Sequence, residues 1–145
     1  VMVGKKTAYY EKIATYCQEN NMESQIRVLS GVSMQELAMI YQEATIFCYP
    51  SVFEGFGIPI IEALFSRTPV ITSQGSCFEE AGGKGSIYVN PTENTAQEIR
   101  QAIQQLLASP ERIQQMREVG YSYVQKFTDE KVCENLLKVY QKMIS

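Results

Sequence analysis

The sequence predicts an α/β fold, a Rossmann-like parallel sheet with helices on both faces. Short apolar segments rich in β-branched and aromatic residues alternate with segments of helical periodicity over the first 90 residues. After Pro91 only helical patterns follow. Strands that alternate with helices at short spacing form parallel sheets, because each strand is reached through a helical crossover. At 145 residues the chain is long enough for one domain with a full core.

The first part of the chain contains two strands, each followed by a helix. Residues 1–4 form the end of a strand that closes on a glycine, residues 9–20 form a helix, and residues 26–29 form the second strand. Ser33 begins the next helix, because Ser33 and Glu36 have the spacing of a capping box.

The middle of the chain is organised around a strand, a glycine loop and a helix. Residues 46–49 are apolar and too short for a helix, so they predict a buried strand. In the loop that follows, Gly55 and Gly57 allow positive φ and a close approach of backbone to ligand. The next helix is predicted from Ile58 to about Ser66, with Pro59 placed at the first helical position.

The remaining segments complete the sheet and cover it. Residues 69–72 and 87–89 predict the fourth and fifth strands, and the polar loop between them contains a short helical segment at 78–81. Three amphipathic helices are predicted, at residues 96–107, from residue 110 towards Gly120 or beyond, and at residues 128–140.

The composition argues against several classes of function. The chain has 13 Lys and Arg against 16 Asp and Glu and no histidine. This balance disfavours a nucleic-acid surface, and the missing histidine removes the commonest general base and metal ligand. The cysteines lie far apart, which disfavours a zinc site and predicts free thiols in a reducing cytoplasm. They are Cys17, Cys48, Cys77 and Cys133.

No segment of the chain approaches the roughly 18 apolar residues of a membrane span. We therefore expect a cytoplasmic location, with any membrane association arising from parts outside this chain. The chain starts at Val1 and its opening strand is short, which suggests that the chain is a piece of a longer protein.

One carboxylate lies on the glycine loop and a second lies in the helix that follows it. Glu54 lies on the loop, and Glu62, eight residues later, is predicted in the first helical turn. A helix start directs free backbone N–H groups outwards and favours an anion, and Pro59 leaves Ile60 and Ile61 as the expected donors. Ionised carboxylates only accept hydrogen bonds, so the pair suits neighbouring hydroxyls. A nucleotide sugar combines phosphate with such hydroxyls.

Taken together, these segments resemble the retaining group 1 (family 4) glycosyltransferases. The two glutamates with Glu-Gly-Phe-Gly at the front resemble the donor-binding signature of that family. The resemblance is carried by Tyr-Pro-Ser at 49–51, Glu-Gly-Phe-Gly-Ile-Pro at 54–59, Glu-Ala at 62–63 and Thr-Pro-Val-Ile at 68–71. It extends to residues 3–4, 28–31, 44–49 and 89–91, nearly the whole chain.

The resemblance implies a GT-B fold, in which two Rossmann-like domains face each other across a cleft. Residues 1–145 resemble the C-terminal, nucleotide-sugar-binding domain without its first strand. An N-terminal domain of the same protein would supply the acceptor site. The implied reaction transfers a sugar from a nucleotide diphosphate to a hydroxyl of a saccharide or lipid-linked saccharide, with anomeric retention and no obligatory metal or other cofactor. Polysaccharide biosynthesis is the implied setting, and we expect no turnover from this chain alone.

The resemblance also implies roles for individual residues. Glu62 would accept hydrogen bonds from the ribose hydroxyls, and Glu54 would be the catalytic residue beside the transferred sugar. The other implied donor-binding positions are Gly55 in the loop, the amides of Phe56, Gly57 and Ile58 at the sugar, Ile60 and Ile61 at the diphosphate, Val28 and Leu29 at the base, and Glu79 near the nucleotide.

Simpler structural interpretations remain open for these residues. Glu62 alone could stabilise its helix dipole by about 0.3–1 kcal/mol, and Glu54 alone could be a solvated loop residue. Phe56 is as suited to packing as to sugar binding, and Glu79 could be surface charge. The chain could also be a non-catalytic sugar-nucleotide-binding or regulatory module of the same fold. The intact pair of Glu54 and Glu62 favours the enzyme.

The chain departs from the family pattern in two ways. Residues 77–79 read Cys-Phe-Glu where a Leu-Pro-Glu type of segment is common. The basic pair that neutralises the diphosphate in the family falls upstream of Val1. A helix start offers only about half an elementary charge, so we expect weak donor binding by this chain alone.

Overall fold

A computed structural model describes residues 1–144, which form two compact units. The first unit covers Val1–Met39, and the second begins at Ile40. In chain order the elements are β1 (Met2–Val3), α1 (Ala8–Glu19), β2 (Val28–Leu29), α2 (Met34–Glu43), β3 (Phe47–Tyr49), α3 (Ile58–Phe65), β4 (Val70–Ser73), α4 (Phe78–Gly82), β5 (Ile87–Val89), α5 (Thr95–Leu107), α6 (Pro110–Val124) and α7 (Asp129–Ile144).

In the first unit, β1 and β2 form a parallel pair in which Met2 is opposite Val28. The predicted capping box at the start of α2 is confirmed. The Ser33 N–H donates to the Glu36 carboxylate at 2.8 Å, and the Glu36 N–H donates to the Ser33 hydroxyl at 3.3 Å. These bonds pair N–H groups that would otherwise have no partner at the helix start.

The second unit contains a parallel sheet of three strands in the order β3-β4-β5. The central strand β4 is buried along its whole length. Its Ile71 packs with Val89 of β5, Leu106 of α5 and Met116 of α6 in one apolar core. The parallel strands and packed helices confirm the predicted α/β class.

The predicted helix from Ile58 to about Ser66 is confirmed, since α3 covers Ile58–Phe65. The placement of two residues within it differs: Pro59 is the second helical residue and not the first, and Glu62 lies beyond the first turn. Gly57, with φ +83°, ends the loop and precedes the helix directly. Cys48, predicted to be buried, is exposed on β3 because β3 is an edge strand of its sheet.

Helix α6 extends beyond Gly120 to Val124, within the prediction. The amphipathic pattern of α7 does not bury its apolar stripe, since Val132, Leu136 and Tyr140 are 44–59% exposed. Neither α7 nor any other helix in residues 1–144 is long and apolar enough to cross a membrane.

The glycines between α4 and β5 are required for packing against α6. Gly83 has φ +58° and ψ −162°, a conformation that is essentially restricted to glycine. A Cβ atom at Gly83 would lie 2.6 Å from the ring of Tyr123, and one at Gly85 would lie 2.9 Å from the backbone nitrogen of Gly120. This glycine-rich turn is therefore explained by close contact with α6.

We expect Gly83→Ala to lower the free energy of unfolding by about 2–6 kcal/mol, because backbone strain and overpacking add at this position. Gly55→Ala is the matched control, because Gly55 lies in the same unit without positive φ and with nothing within 4 Å of an added Cβ. Urea unfolding measures both changes. Equal midpoints for the two variants would contradict the packing role of Gly83.

Candidate functional site

The glycine loop, residues 50–57, connects the carboxyl end of β3 to α3. Parallel sheets bind ligands at this end of their strands. Gly57 is in the left-handed region, and a Cβ there would lie 3.1 Å from the Cβ of Ala81, so only glycine fits without strain. Val52 and Phe53, earlier in the loop, are exposed.

The carboxylate of Glu54 is fixed by two hydroxyl donors. The Tyr49 hydroxyl donates to Oε1 of Glu54 at 2.6 Å, and the Ser51 hydroxyl donates to the same oxygen at 3.0 Å. The thiol of Cys77 contacts the Glu54 carbonyl oxygen at 3.4 Å. Within residues 1–144, Oε2 of Glu54 has no protein donor, so this oxygen can accept a hydrogen bond from a ligand.

The carboxylate of Glu62 is held in a similar way by a second tyrosine. The hydroxyl of the buried Tyr41 donates to Oε2 of Glu62 at 3.2 Å. The Tyr41 carbonyl in turn accepts a hydrogen bond from the Thr68 hydroxyl at 2.5 Å. No donor from the described chain reaches Oε1 of Glu62, which is available to a ligand hydroxyl.

A row of three packed rings links the two tyrosines that hold the carboxylates. The Phe47 ring lies 5.1 Å from the Tyr41 ring in edge-to-face geometry and 5.8 Å from the Tyr49 ring in stacked geometry. We call Tyr41, Phe47 and Tyr49 the ring row. Since each tyrosine hydroxyl binds one of the carboxylates, Glu54 and Glu62 are anchored to one packed cluster.

Both tyrosines of the ring row act as donors at neutral pH. Burial, followed by the hydrogen bond to Glu54, raises the pKa of Tyr49 to about 12. Burial, followed by the nearby negative charge of Glu62, raises the pKa of Tyr41 above its ordinary value. Each phenol therefore keeps its proton and donates it to its carboxylate.

The expectation that Ile60 and Ile61 have free N–H groups is wrong. Both donate to the Gly57 carbonyl, at 3.0 and 3.4 Å, because Pro59 is the second residue of the helix and Gly57 is its N-cap. Within the described glycine loop and helix start, the N–H groups of Phe56, Gly57 and Ile58 have no protein acceptor, and neither do those of residues 52–55. These groups are open to an anion or a hydroxyl. The proposed contact of Ile60 and Ile61 with a diphosphate stays a prediction.

Most of the other residues predicted to bind the donor have local contacts of their own. Phe56 packs edge-to-face on Phe127 at 5.7 Å between ring centroids, which favours a packing role. Glu79 is exposed and its carboxylate accepts the Gly75 N–H at 3.1 Å. Val28 and Leu29 form β2 in the first unit. The ligand roles of Gly55, Glu79, Val28 and Leu29 stay predictions.

Sequence reasoning missed both tyrosines of the site. Tyr41 lies among the apolar residues of α2, and its contact with Glu62 spans 21 residues. Tyr49 directly precedes Pro50 and Ser51 of the motif, and this proximity to Glu54 was an available signal. Ser73, at the carboxyl end of β4, was also missed, and its fully buried hydroxyl has no partner in residues 1–144.

Comparison with known sequences gives a consistent result. The family model described as "Glycosyl transferases group 1" matches residues 1–123. The O-antigen chain mannosyltransferase RfbU of Salmonella typhimurium is 38% identical over 93 residues, which cover 64% of this chain and 26% of that protein. The MMP alpha-(1->4)-mannosyltransferase of Mycolicibacterium hassiacum is 31% identical over 122 residues, 83% of this chain and 30% of that protein. The chain thus spans less than a third of either relative.

Solved structures show the same architecture. Sucrose-phosphate synthase from Thermosynechococcus elongatus superposes with a TM-score of 0.83 at 26% identity, over 98% of this chain and 37% of that one. A glycosyltransferase from Rickettsia africae superposes with a TM-score of 0.80 at 17% identity, over 99% of this chain and 39% of that one, which supports the fold alone. The fold is that of one part of a GT-B glycosyltransferase.

Proposed function

The chain belongs to the group 1 glycosyltransferases, and from this membership we propose that it binds a nucleotide diphosphate sugar and supports retaining transfer of the sugar to a hydroxyl acceptor. An N-terminal GT-B domain of the same protein would bind the acceptor. The nucleotide sugar is the donor substrate, and neither a metal nor another cofactor is part of the proposal.

One observation carries the proposal. Glu54 and Glu62 each have one carboxylate oxygen held by a tyrosine and the other oxygen without a donor in residues 1–144. In the segment that joins the two glutamates in sequence, the N–H groups of Phe56, Gly57 and Ile58 lack protein acceptors within residues 1–144. The chain therefore offers acceptors for sugar hydroxyls before and after a run of free donors in sequence, which suits a ligand with phosphate between two sugars.

The proposal gives each group of the site a different role. Glu62 binds the ribose hydroxyls and contributes donor affinity, since each hydrogen bond to a charged group contributes about 1.5–3 kcal/mol. Glu54 lies beside the transferred sugar and stabilises the charge that develops at the reacting carbon. The free N–H groups at the start of α3 stabilise the leaving diphosphate, helped by basic side chains outside this chain.

The names of the relatives suggest a first donor and acceptor to test. Two of them are the mannosyltransferases already described, and a relative in Komagataeibacter xylinus is a GDP-mannose:cellobiosyl-diphosphopolyprenol alpha-mannosyltransferase, 28% identical over 125 residues. We therefore propose a hexose donor, with GDP-mannose as the first probe. The proposed acceptor is a saccharide or lipid-linked saccharide in polysaccharide assembly.

The test uses the protein that contains this chain together with its acceptor-binding domain. We expect it to consume GDP-mannose or another of a panel of nucleotide sugars, and to form a product with retained anomeric configuration by NMR. The chain alone should bind GDP or UDP weakly in calorimetric titration and transfer nothing. Nucleotide binding without transfer by the complete protein would indicate the non-catalytic module, and failure to bind any nucleotide would overturn the proposal.

A further inference from the structure

We propose that Tyr41 and Tyr49 are positioning residues that hold Glu62 and Glu54 in their ligand-binding orientations. This inference rests on the proposed function and adds two residues to it. Tyr41 and Tyr49 would act through the carboxylates, without touching the substrate.

The first argument is the direction of the hydrogen bonds. Each phenol donates to a single carboxylate oxygen, Oε1 of Glu54 and Oε2 of Glu62. A carboxylate held at one oxygen presents the other in a fixed direction. A carboxylate without such a partner rotates, and its orientation must then be fixed when the ligand binds. Holding the side chains before binding removes that entropic cost from the binding step.

The second argument is the rigidity of the ring row. Both tyrosine rings contact Phe47, and Tyr41 is 6% exposed. The backbone carbonyl of Tyr49 accepts a hydrogen bond from the Thr72 hydroxyl at 2.9 Å, and that of Tyr41 accepts one from Thr68. Packed rings with bound backbones have little rotamer freedom, so the two hydroxyls have a fixed separation.

The two carboxylates depend on their tyrosines to different degrees. Glu54 receives a second donor, the Ser51 hydroxyl at 3.0 Å, whereas Tyr41 is the donor to Glu62 along the described chain. Because the proposed roles of the glutamates also differ, removing each hydroxyl should change a different kinetic quantity. If the tyrosines only stabilised the fold, their removal would not lower kcat in one variant and nucleotide affinity in the other.

The experiment compares Tyr41→Phe and Tyr49→Phe in the protein that contains this chain, with GDP-mannose or whichever panel donor the wild type uses. We expect Tyr49→Phe to lower kcat by about tenfold with little change in the dissociation constant of the nucleoside diphosphate. We expect Tyr41→Phe to raise that dissociation constant by about tenfold, with kcat at saturating donor nearly unchanged.

Tyr88→Phe is the matched control. The Tyr88 hydroxyl donates to the Gly83 carbonyl at 2.6 Å, and burial raises its pKa to about 12, as for Tyr49. This variant loses an equivalent hydrogen bond without involving either carboxylate, so its kinetics should match the wild type. Thermal unfolding of all three variants measures their stability. A kinetic change that arises only from destabilisation can then be recognised.

The outcomes separate the inference from the proposed function. A wild-type protein that uses no nucleotide sugar overturns the proposed function. An active wild type whose two ring-row variants keep its kcat and nucleotide affinity, or change both quantities equally, overturns the positioning roles. The positioning roles are supported if Tyr49→Phe lowers mainly kcat, Tyr41→Phe lowers mainly nucleotide affinity, and Tyr88→Phe changes neither.

Discussion

Glu54→Ala should lower kcat of the complete enzyme by about 100-fold or more, because a carboxylate that stabilises charge at the reaction centre acts mainly in the transition state. The dissociation constant of the nucleoside diphosphate should change by less than about threefold, since Glu54 lies beside the sugar in the proposal. Steady-state kinetics with saturating donor and calorimetry with the nucleotide measure the two quantities.

Two further variants test whether the charge of Glu54 itself is required. Glu54→Gln keeps the shape of the side chain and can still accept hydrogen bonds from Tyr49 and Ser51, but it lacks the charge. It should therefore lose most of the activity as well. Glu80→Ala removes an exposed glutamate from the same unit and should be as active as the wild type. A nearly unchanged kcat in Glu54→Ala would remove the catalytic role.

Glu62→Ala should weaken binding of the nucleoside diphosphate by about 10- to 150-fold, the equivalent of losing 1.5–3 kcal/mol of hydrogen bonding to a charged group. The change should appear in calorimetric titration with GDP or UDP. At saturating donor, kcat should fall much less than in Glu54→Ala. Equal nucleotide affinity in the wild type and in Glu62→Ala would exclude the ribose-binding role.

The Glu62 variant also affects stability, and this effect must be separated from binding. Truncation to alanine leaves the buried Tyr41 hydroxyl without its acceptor, which costs about 1–3 kcal/mol of unfolding free energy. Glu62→Gln retains an acceptor for Tyr41 and should unfold at nearly the wild-type temperature. A loss of nucleotide affinity in both variants, with lost stability only in the alanine variant, would assign the binding effect to the charge.

The parts of the fold that depend on local interactions were predictable from the sequence. The capping box of Ser33 and Glu36 involves residues three apart, and the structure contains its bonds in both directions. The glycine requirement at position 57 follows from a loop that must turn directly into a helix. The strands were recognised because β-branched and aromatic residues cluster in short segments.

The parts that depend on distant contacts were not predictable. Gly83 requires glycine because of the ring of Tyr123, 40 positions later, which no local pattern reveals. The contact of Tyr41 with Glu62 likewise depends on how Tyr41 packs against α3, 21 residues further along the chain. The helix was predicted from Ile58, but Pro59 was placed at its first position, because proline is favourable at both of the first two helical positions.

The left-handed conformation of Gly57 has a practical meaning for altering the sugar preference of such an enzyme. Libraries that randomise the whole loop will contain many destabilised members, because any side chain at position 57 approaches Ala81 closely in a strained backbone. Val52 and Phe53 are 68% and 80% exposed in the same loop, so diversity introduced there should leave most members folded. Screening effort belongs at those two positions.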